Sequence, residues 1–397
     1  MTAVLEWDNR YRRLEEISWW KQSLLREARI LVVGAGALGN EILKNLALVG
    51  AGHIVIADFD QVEKSNLSRS ILFRPHDIGL PKAAAAARGI REINDEIQVV
   101  PLEVDIEHGL GLGVVRRVDL VLAGLDNVGG RIAVNRLCRN AGKPWLDGGL
   151  HELDGLVRFF HPDEGACYEC GLSDRDYARE SRRYSCQLLS QRAAADGVPT
   201  SPTGAATIAA WQVQEALKWI HGLPVLRSEM VSFYGQSFET RRILLTPRDG
   251  CVGHSAAVAE VRQLPLTAKA SVGELMERLN ADFGNGASVQ LRFDVVTAFG
   301  CARCRERVPV NRALHALRPR DALCPVCGEE RTANLTHRIG GGEKWTEPGQ
   351  SLESLGIPPL EVLSVASASG ERNYAELSGD AMNARWVNFF RHEFNAE

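Results

Sequence analysis

Ala28 to Val33 reads as a short, largely apolar strand that runs directly into Gly34-Ala35-Gly36-Ala37-Leu38-Gly39. Glycines at this spacing allow a tight turn and let the backbone approach a phosphate, while the helix that follows aims its first N–H groups at the charge. Leu38, Ile42, Leu43, Leu46 and Leu48 supply the apolar face of that helix. His53–Ala57 is the next strand, and Asp58 closes it 19 residues after Gly39, where an acid should meet ribose hydroxyls. A lone GxGxxG is weak evidence. In this strand–turn–helix–strand–acid order it predicts an α/β, Rossmann-like doubly wound domain, with NAD, FAD and ATP all open as ligand.

The next segment separates those ligands. Asp58-Phe59-Asp60-Gln61-Val62-Glu63-Lys64-Ser65-Asn66-Leu67-Ser68-Arg69 is followed by Gly79-Leu80-Pro81-Lys82 and a run of alanines. A dehydrogenase has little need for Asn, Arg and Lys gathered after its second strand. Attack on an α-phosphate does need them, because negative charge builds on the phosphoryl oxygens and on departing pyrophosphate. With these residues the sequence resembles the adenylating superfamily of ubiquitin-activating, molybdopterin-synthase-activating (MoeB) and thiamine-sulfur-carrier-activating (ThiF) enzymes, over about residues 8 to 255.

The resemblance implies roles for particular residues. Gly34, Gly36 and Gly39 cradle the nucleotide, Asp58 holds the ribose, Asn66 and Arg69 contact the phosphates, and Lys82 stabilises pyrophosphate as it leaves. Leu120–Ala123 reads as a later strand with Asp126-Asn127 at its tip, matching the family's Asp-Asn, and Asp126 would orient Mg2+ on the phosphates of ATP. Arg10-Tyr11-Arg12-Arg13 is similar to the family's RYxRQ, with Leu14 in place of Gln, and makes Arg13 the candidate finger into a partner subunit's site. That geometry implies a homodimer.

Nine cysteines, four of them in tight CxxC pairs in one short stretch, fit metal binding in a reducing compartment better than a disulfide framework. Cys301-x-x-Cys304 and Cys324-x-x-Cys327 have the spacing of a two-knuckle zinc ribbon. Cys167-x-x-Cys170 and Cys251-x-x-His254 stand where the family places two CxxC pairs on one structural zinc, so the resemblance implies a second Zn2+ site in which His254 replaces a cysteine. Between those pairs lies a charged, weakly patterned stretch, Leu172 to Thr200, read as a crossover loop over about 172–204. It contains Cys186, and the helix beyond it carries Gln212-x-x-Glu215-Ala216-x-Lys218, similar to the family's QxxEAxK helix. The resemblance makes Cys186 the nucleophile that takes the acyl group from an adenylate, with Arg182, Arg183 and Arg192 available to favour its thiolate. Cys138, in a helical segment, reads as core packing.

A net charge of −4 argues for neither nucleic acid nor a membrane surface, and no apolar run approaches the roughly 18 residues of a membrane helix. The first twenty residues lack the apolar core of a signal peptide, and the chain is expected to be cytoplasmic. Residues 256–397 fall outside the resemblance and predict a smaller α+β domain: a helix over Ser271–Leu279, a strand over Ser288–Val296, the ribbon at 301–327, and a final helix–turn–strand that is weakly similar to a β-grasp edge. This tail is expected to be structural or to dock a partner.

Together these features predict an ATP-dependent activating enzyme for a ubiquitin-like or sulfur-carrier protein with a Gly-terminated tail. Cys186 would form a thioester for transfer to a conjugating enzyme. The chain most resembles the activating enzymes of bacterial ubiquitin-like conjugation systems in phage-defence operons. Three alternatives remain: a sulfur-carrier adenylyltransferase, a peptide-modifying adenylating enzyme, and an inactive scaffold half of a heterodimer.

Overall fold

The computed structural model describes residues 9–183, 199–254, 256–341 and 347–382, together with Trp386 and Phe389. The chain divides into two compact units: one from the described residues within 1–107, 115–171 and 197–257, the other from those within 108–114, 172–196 and 258–397.

In the first unit, strands β1 (Arg29–Val33), β2 (His53–Ala57), β3 (Gln98–Leu102), β4 (Leu120–Ala123), β5 (Trp145–His151), β6 (Asp154–Phe160), β7 (Glu229–Tyr234) and β8 (Glu239–Leu244) form one sheet in the order 3-2-1-4-5-6-7-8. The first five in that order pair in parallel and the last three add antiparallel strands. Chain order reverses between β1 and β4, which creates the crevice where ligands of open α/β sheets bind. Helices α1 (Arg12–Glu15), α2 (Gln22–Glu27), α3 (Ala37–Val49), α4 (Lys82–Ile93), α6 (Val128–Ala141) and α8 (Pro202–Ile220) accompany this part of the chain, and α5 (Leu112–Arg116) has its first three residues in the second unit. Ile30, Val32, Ile54, Ile56, Leu120 and Leu122 bury their side chains with Ile42, Leu43 and Leu46 of α3 and with Ile208, Val213 and Ala216 of α8. Near-continuous apolar strands of this kind belong to parallel sheets covered on both faces.

The QxxEAxK pattern lies on α8 and is used for packing. Gln212 is buried, and its Nε2 donates to the carbonyl oxygens of Ala123 (3.0 Å) and Leu146 (3.4 Å). Glu215 pairs with Lys218 Nζ at 2.6 Å and accepts the Leu226 N–H at 2.8 Å, fixing the chain beyond the helix.

The second unit holds α7 (Asp174–Arg183), β9 (Arg262–Leu264), α9 (Val272–Phe283), β10 (Ser288–Gly300), β11 (Arg307–Ala313), β12 (Thr332–Gly340), β13 (Val362–Ala366) and β14 (Arg372–Leu377). Its sheet runs 11-10-13-14-9, and β12 also pairs with β10. Ser271 and Glu274 form a capping box that starts α9, and Leu275 and Leu279 pack against Val289, Leu291 and Val365. Helix α9 runs to Phe283, past the expected Leu279, and two further elements depart from the sequence reading. The strand expected over Ser288–Val296 continues to Gly300, because an irregularity between Val296 and Ala298 bends it while it keeps partners on β11 and β12. The weakly patterned start of the 172–204 stretch is the helix α7: Ser173 donates its N–H and Oγ to Asp176 Oδ2 (2.8 and 2.7 Å), a capping signal that compensates for a missing apolar stripe. No helix among the described residues is long and apolar enough to cross a membrane.

Gln212→Ala should destabilise the first unit by about 1–3 kcal/mol, since two buried carbonyls lose a donor. Denaturant unfolding of the variant against the parent checks this.

Candidate functional site

The glycine loop follows β1, and its three glycines differ in what surrounds them. A Cβ on Gly39 would lie 1.9 Å from the Gly34 carbonyl oxygen, and one on Gly34, whose φ is +89°, would lie 2.6 Å from the Gly124 oxygen. These two permit the turn to close against the end of β4. Gly36 is the N-cap of α3, and a Cβ there would meet nothing within 4 Å. Gly36 thus faces open space at the positive end of a 13-residue helix, the setting that favours a phosphate.

Asp58 ends β2 and joins this loop. Its Oδ2 accepts the Ala35 N–H at 2.6 Å and its Oδ1 accepts the Asp60 N–H at 2.8 Å. Burial pushes its pKa above the ordinary carboxylate range, against the pull of those two N–H groups and of Lys82. Lys82 opens α4, with its Nζ 2.8 Å from Asp60 Oδ2. Gly34, Ala35, Asp58, Asp60 and Lys82 therefore form one connected group at the carboxyl ends of β1 and β2.

Asn66 and Arg69 sit in the next turn. Asn66 is buried and its Oδ1 accepts the Glu63 N–H (2.9 Å), while Arg69 Nη1 donates to the Ser65 carbonyl at 3.1 Å. Across the crevice, Asn127 caps α6 by accepting the Gly130 N–H at 2.7 Å and donates its Nδ2 to Asp126 Oδ1 at 3.2 Å. Asp126 is exposed. One such carboxylate beside bound phosphates is a common way to hold Mg2+, so this residue fits the ion.

Arg10 and Tyr11 anchor the start of the described chain. Arg10 Nη1 donates to the Ile93 carbonyl at 2.8 Å, and the buried Tyr11 hydroxyl accepts from Asn94 Nδ2 at 2.7 Å. Arg13 projects into solvent, 3.5 Å from Glu16. Cys186 and Arg192 lie outside the described residues, and Arg182 and Arg183 are described only as the end of α7.

Both cysteine groups converge. Cys167 Sγ lies 3.8 Å from Cys170 Sγ and 3.7 Å from Cys251 Sγ, and Cys170 Sγ lies 3.1 Å from His254 Nε2. A tetrahedral zinc with Zn–S of about 2.3 Å requires S···S edges of about 3.8 Å. Burial pushes the Cys167 thiol up to about 12, and burial together with Arg139 lowers His254, favouring the neutral imidazole that ligates metal. In the second group Cys301 and Cys327 are 3.6 Å apart, Cys304 and Cys324 4.0 Å. Its two knuckles repeat one pattern. Arg305 and Gly328 both take positive φ and donate their N–H groups to the Cys301 and Cys324 carbonyls, while those two cysteines donate to Glu306 and Glu329. Both sets fit a zinc ion. Cys138 is buried, and burial raises its thiol far above the ordinary range.

Sequence reading missed the partners beneath the crevice. Asp147 is fully buried between Arg131 and Arg158. Burial raises its pKa, but the two guanidiniums outweigh that and hold it below the ordinary value. Glu169 is also fully buried and pairs with Arg136 Nη2 at 2.8 Å.

The fold that carries this site has known counterparts. The ThiF family model matches residues 9–252, and the chain belongs to that family. The SAMP-activating enzyme E1 of Haloferax volcanii is 36% identical over 165 residues, 41% of this chain and 61% of that protein. The sulfur carrier protein adenylyltransferase of Thermus thermophilus is 34% identical over 170 residues, 41% of this chain and 63% of that protein. The match thus spans less than two thirds of either relative. Among solved structures, E. coli MccB with ATP superposes with a TM-score of 0.51 at 22% identity, covering 62% of this chain and 74% of that one, and shares the fold.

Gly36→Ala and Gly39→Ala should separate by mechanism. The first adds a methyl to open space and should leave stability within about 0.5 kcal/mol while weakening ATP binding. The second forces Gly34 aside and should cost about 1–3 kcal/mol. Thermal unfolding and calorimetric ATP titration of both variants test this. Elemental analysis should return two zinc ions per chain, and Cys251→Ser should remove one of them.

Proposed function

We propose that this protein adenylates the C-terminal carboxylate of a ubiquitin-like carrier protein and then captures the acyl group on Cys186. The observation that carries this reading is the joining of the glycine loop to Asp58 and, through Asp60, to Lys82, across from Asp126, within the segment matched by the ThiF family. The carrier carboxylate attacks the α-phosphate of ATP; the bond from that phosphorus to the bridging oxygen breaks, and pyrophosphate leaves. Gly34, Gly36 and Gly39 admit the nucleotide, Asp58 takes the ribose, and Asn66, Asn127, Arg69 and Lys82 neutralise the phosphates. Asp126 would hold Mg2+, which would supply screening of the triphosphate charge. Arg13 completes the site of a second copy in a homodimer. The Cys186 thiolate then attacks the acyl carbon, AMP leaves, and a thioester forms.

The boundary near residue 255 and the ribbon-bearing tail fit a division of labour, with the tail docking the conjugating enzyme that receives the thioester. The reaction belongs in the cytoplasm, where thiols stay reduced, and in a bacterial conjugation system of the antiviral type. A sulfur-carrier adenylyltransferase is the second reading, favoured by the Thermus thermophilus relative, and a requirement for a sulfur donor with a thiocarboxylate product would select it.

Cys186→Ala should keep carrier-dependent exchange of pyrophosphate into ATP and lose the thiol-sensitive adduct with a Gly-terminated carrier. An adduct that persists assigns the nucleophile elsewhere. Arg69→Ala and Asp126→Ala should lower exchange itself by about 10²–10³. Normal exchange in both variants would remove the phosphate assignments.

A further inference from the structure

The first turns of α6 carry a chain of buried ionic contacts that the roles above leave unused. Arg131 donates Nε to Asp147 Oδ1 at 2.8 Å and Nη2 to the carbonyl oxygens of Leu125 (2.5 Å) and Gly148 (3.1 Å). Its guanidinium therefore binds the backbone on both sides of the crevice floor, and Leu125 is the residue immediately before Asp126. Asp147, fully buried on β5, gives its other oxygen to Arg158, whose Nε lies at 3.1 Å. Arg158 in turn lies over the rings of Tyr168 (5.0 Å) and Phe160 (5.8 Å). Two arginines and one aspartate leave one net positive charge in a largely dry place.

Stability alone is a poor reason to keep such a group. Well-packed apolar side chains of the same volume do as well or better, because removing charges from water is costly. A guanidinium fork does offer fixed geometry, since its donors lie in one plane and can hold several acceptors at once. Here the acceptors are the Leu125, Gly148 and, at 3.4 Å, Asn127 carbonyls together with Asp147, and Asp126 is among the charges that act on Arg131. We propose that Arg131, held in place by Asp147 and Arg158, is a positioning residue that fixes the Leu125–Asn127 turn and thereby aims the Asp126 carboxylate at nucleotide-bound magnesium. This rests on the reading of Asp126 as the magnesium carboxylate.

The experiment is calorimetric titration of the full chain with ATP, in the presence and absence of Mg2+, which needs no carrier protein. In the parent, Mg2+ should tighten ATP binding. Asp147→Asn and Arg131→Lys should each reduce that enhancement by about 10–100-fold, as loss of an outer-shell partner does at other metal sites, with magnesium-free ATP affinity unchanged. A merely structural role would lower the fraction of competent protein and leave both affinities as they were. Arg131→Lys keeps a cation opposite Asp147, so it carries the test if Asp147→Asn is recovered unfolded. Full enhancement in both variants, with its loss in Asp126→Ala, overturns the positioning role alone. Enhancement that survives Asp126→Ala overturns the magnesium assignment beneath it.

Discussion

The first unit depends on a contact that tolerates no side chain. Where β1 ends, Gly34 turns with φ +89° against the Gly124 carbonyl at the end of β4, and Gly39 brings α3 down onto Gly34. Any Cβ at these two positions would overlap backbone, so the helix reaches the sheet only because they are glycines. The same closeness puts the N-terminus of α3 at the β1–β4 switch point and leaves Gly36 facing the crevice. Asp58 then locks the loop from β2 by accepting the Ala35 N–H, so the group expected to hold ribose also stiffens the loop expected to hold phosphate.

Elements defined by local pattern were legible in the sequence. The strands His53–Ala57 and Leu120–Ala123 were read with the bounds that the structure has, and both cysteine groups converge as their spacing and the family resemblance implied. The misses have a common cause. Helix α7 lacks an apolar face and rests on a Ser173–Asp176 cap, so periodicity gives no signal for it. The Arg131–Asp147–Arg158 group joins residues on three elements, and nothing local marks a charge as buried or paired. The QxxEAxK helix was read as a family marker, whereas its Gln212 and Glu215 work as packing residues on strand ends and on the chain beyond the helix. The candidate nucleophile, Cys186, lies outside the described residues, so its place in the chemistry rests on sequence.

The two metal groups solve different problems. The ribbon draws on residues within 27 positions, and each knuckle already has its own backbone turn, so an ion there would join two preformed halves. The other group joins Cys167 and Cys170 to Cys251 and His254, some 84 residues on, and its long closed loop contains α8 and the β7–β8 hairpin. Closing a longer loop removes more freedom from the unfolded chain. Losing the ion there should therefore be felt more widely than losing the one in the ribbon.

Two polar side chains of the first unit, Gln212 and Arg131, reach the place where β4 and β5 part. Their ladder ends at the pair Ala123–Asp147, and beyond it the strands diverge to open the crevice. Diverging strands strand their carbonyls, and buried carbonyls need donors. Gln212 donates to Ala123 and Leu146, at the end of that ladder, and Arg131 donates to Leu125 and Gly148, just beyond it. An apolar residue at either place would leave those oxygens unpaired. A cleft in a parallel sheet thus requires polar groups in its floor, and in this chain one of them is a guanidinium bonded to the residue before Asp126.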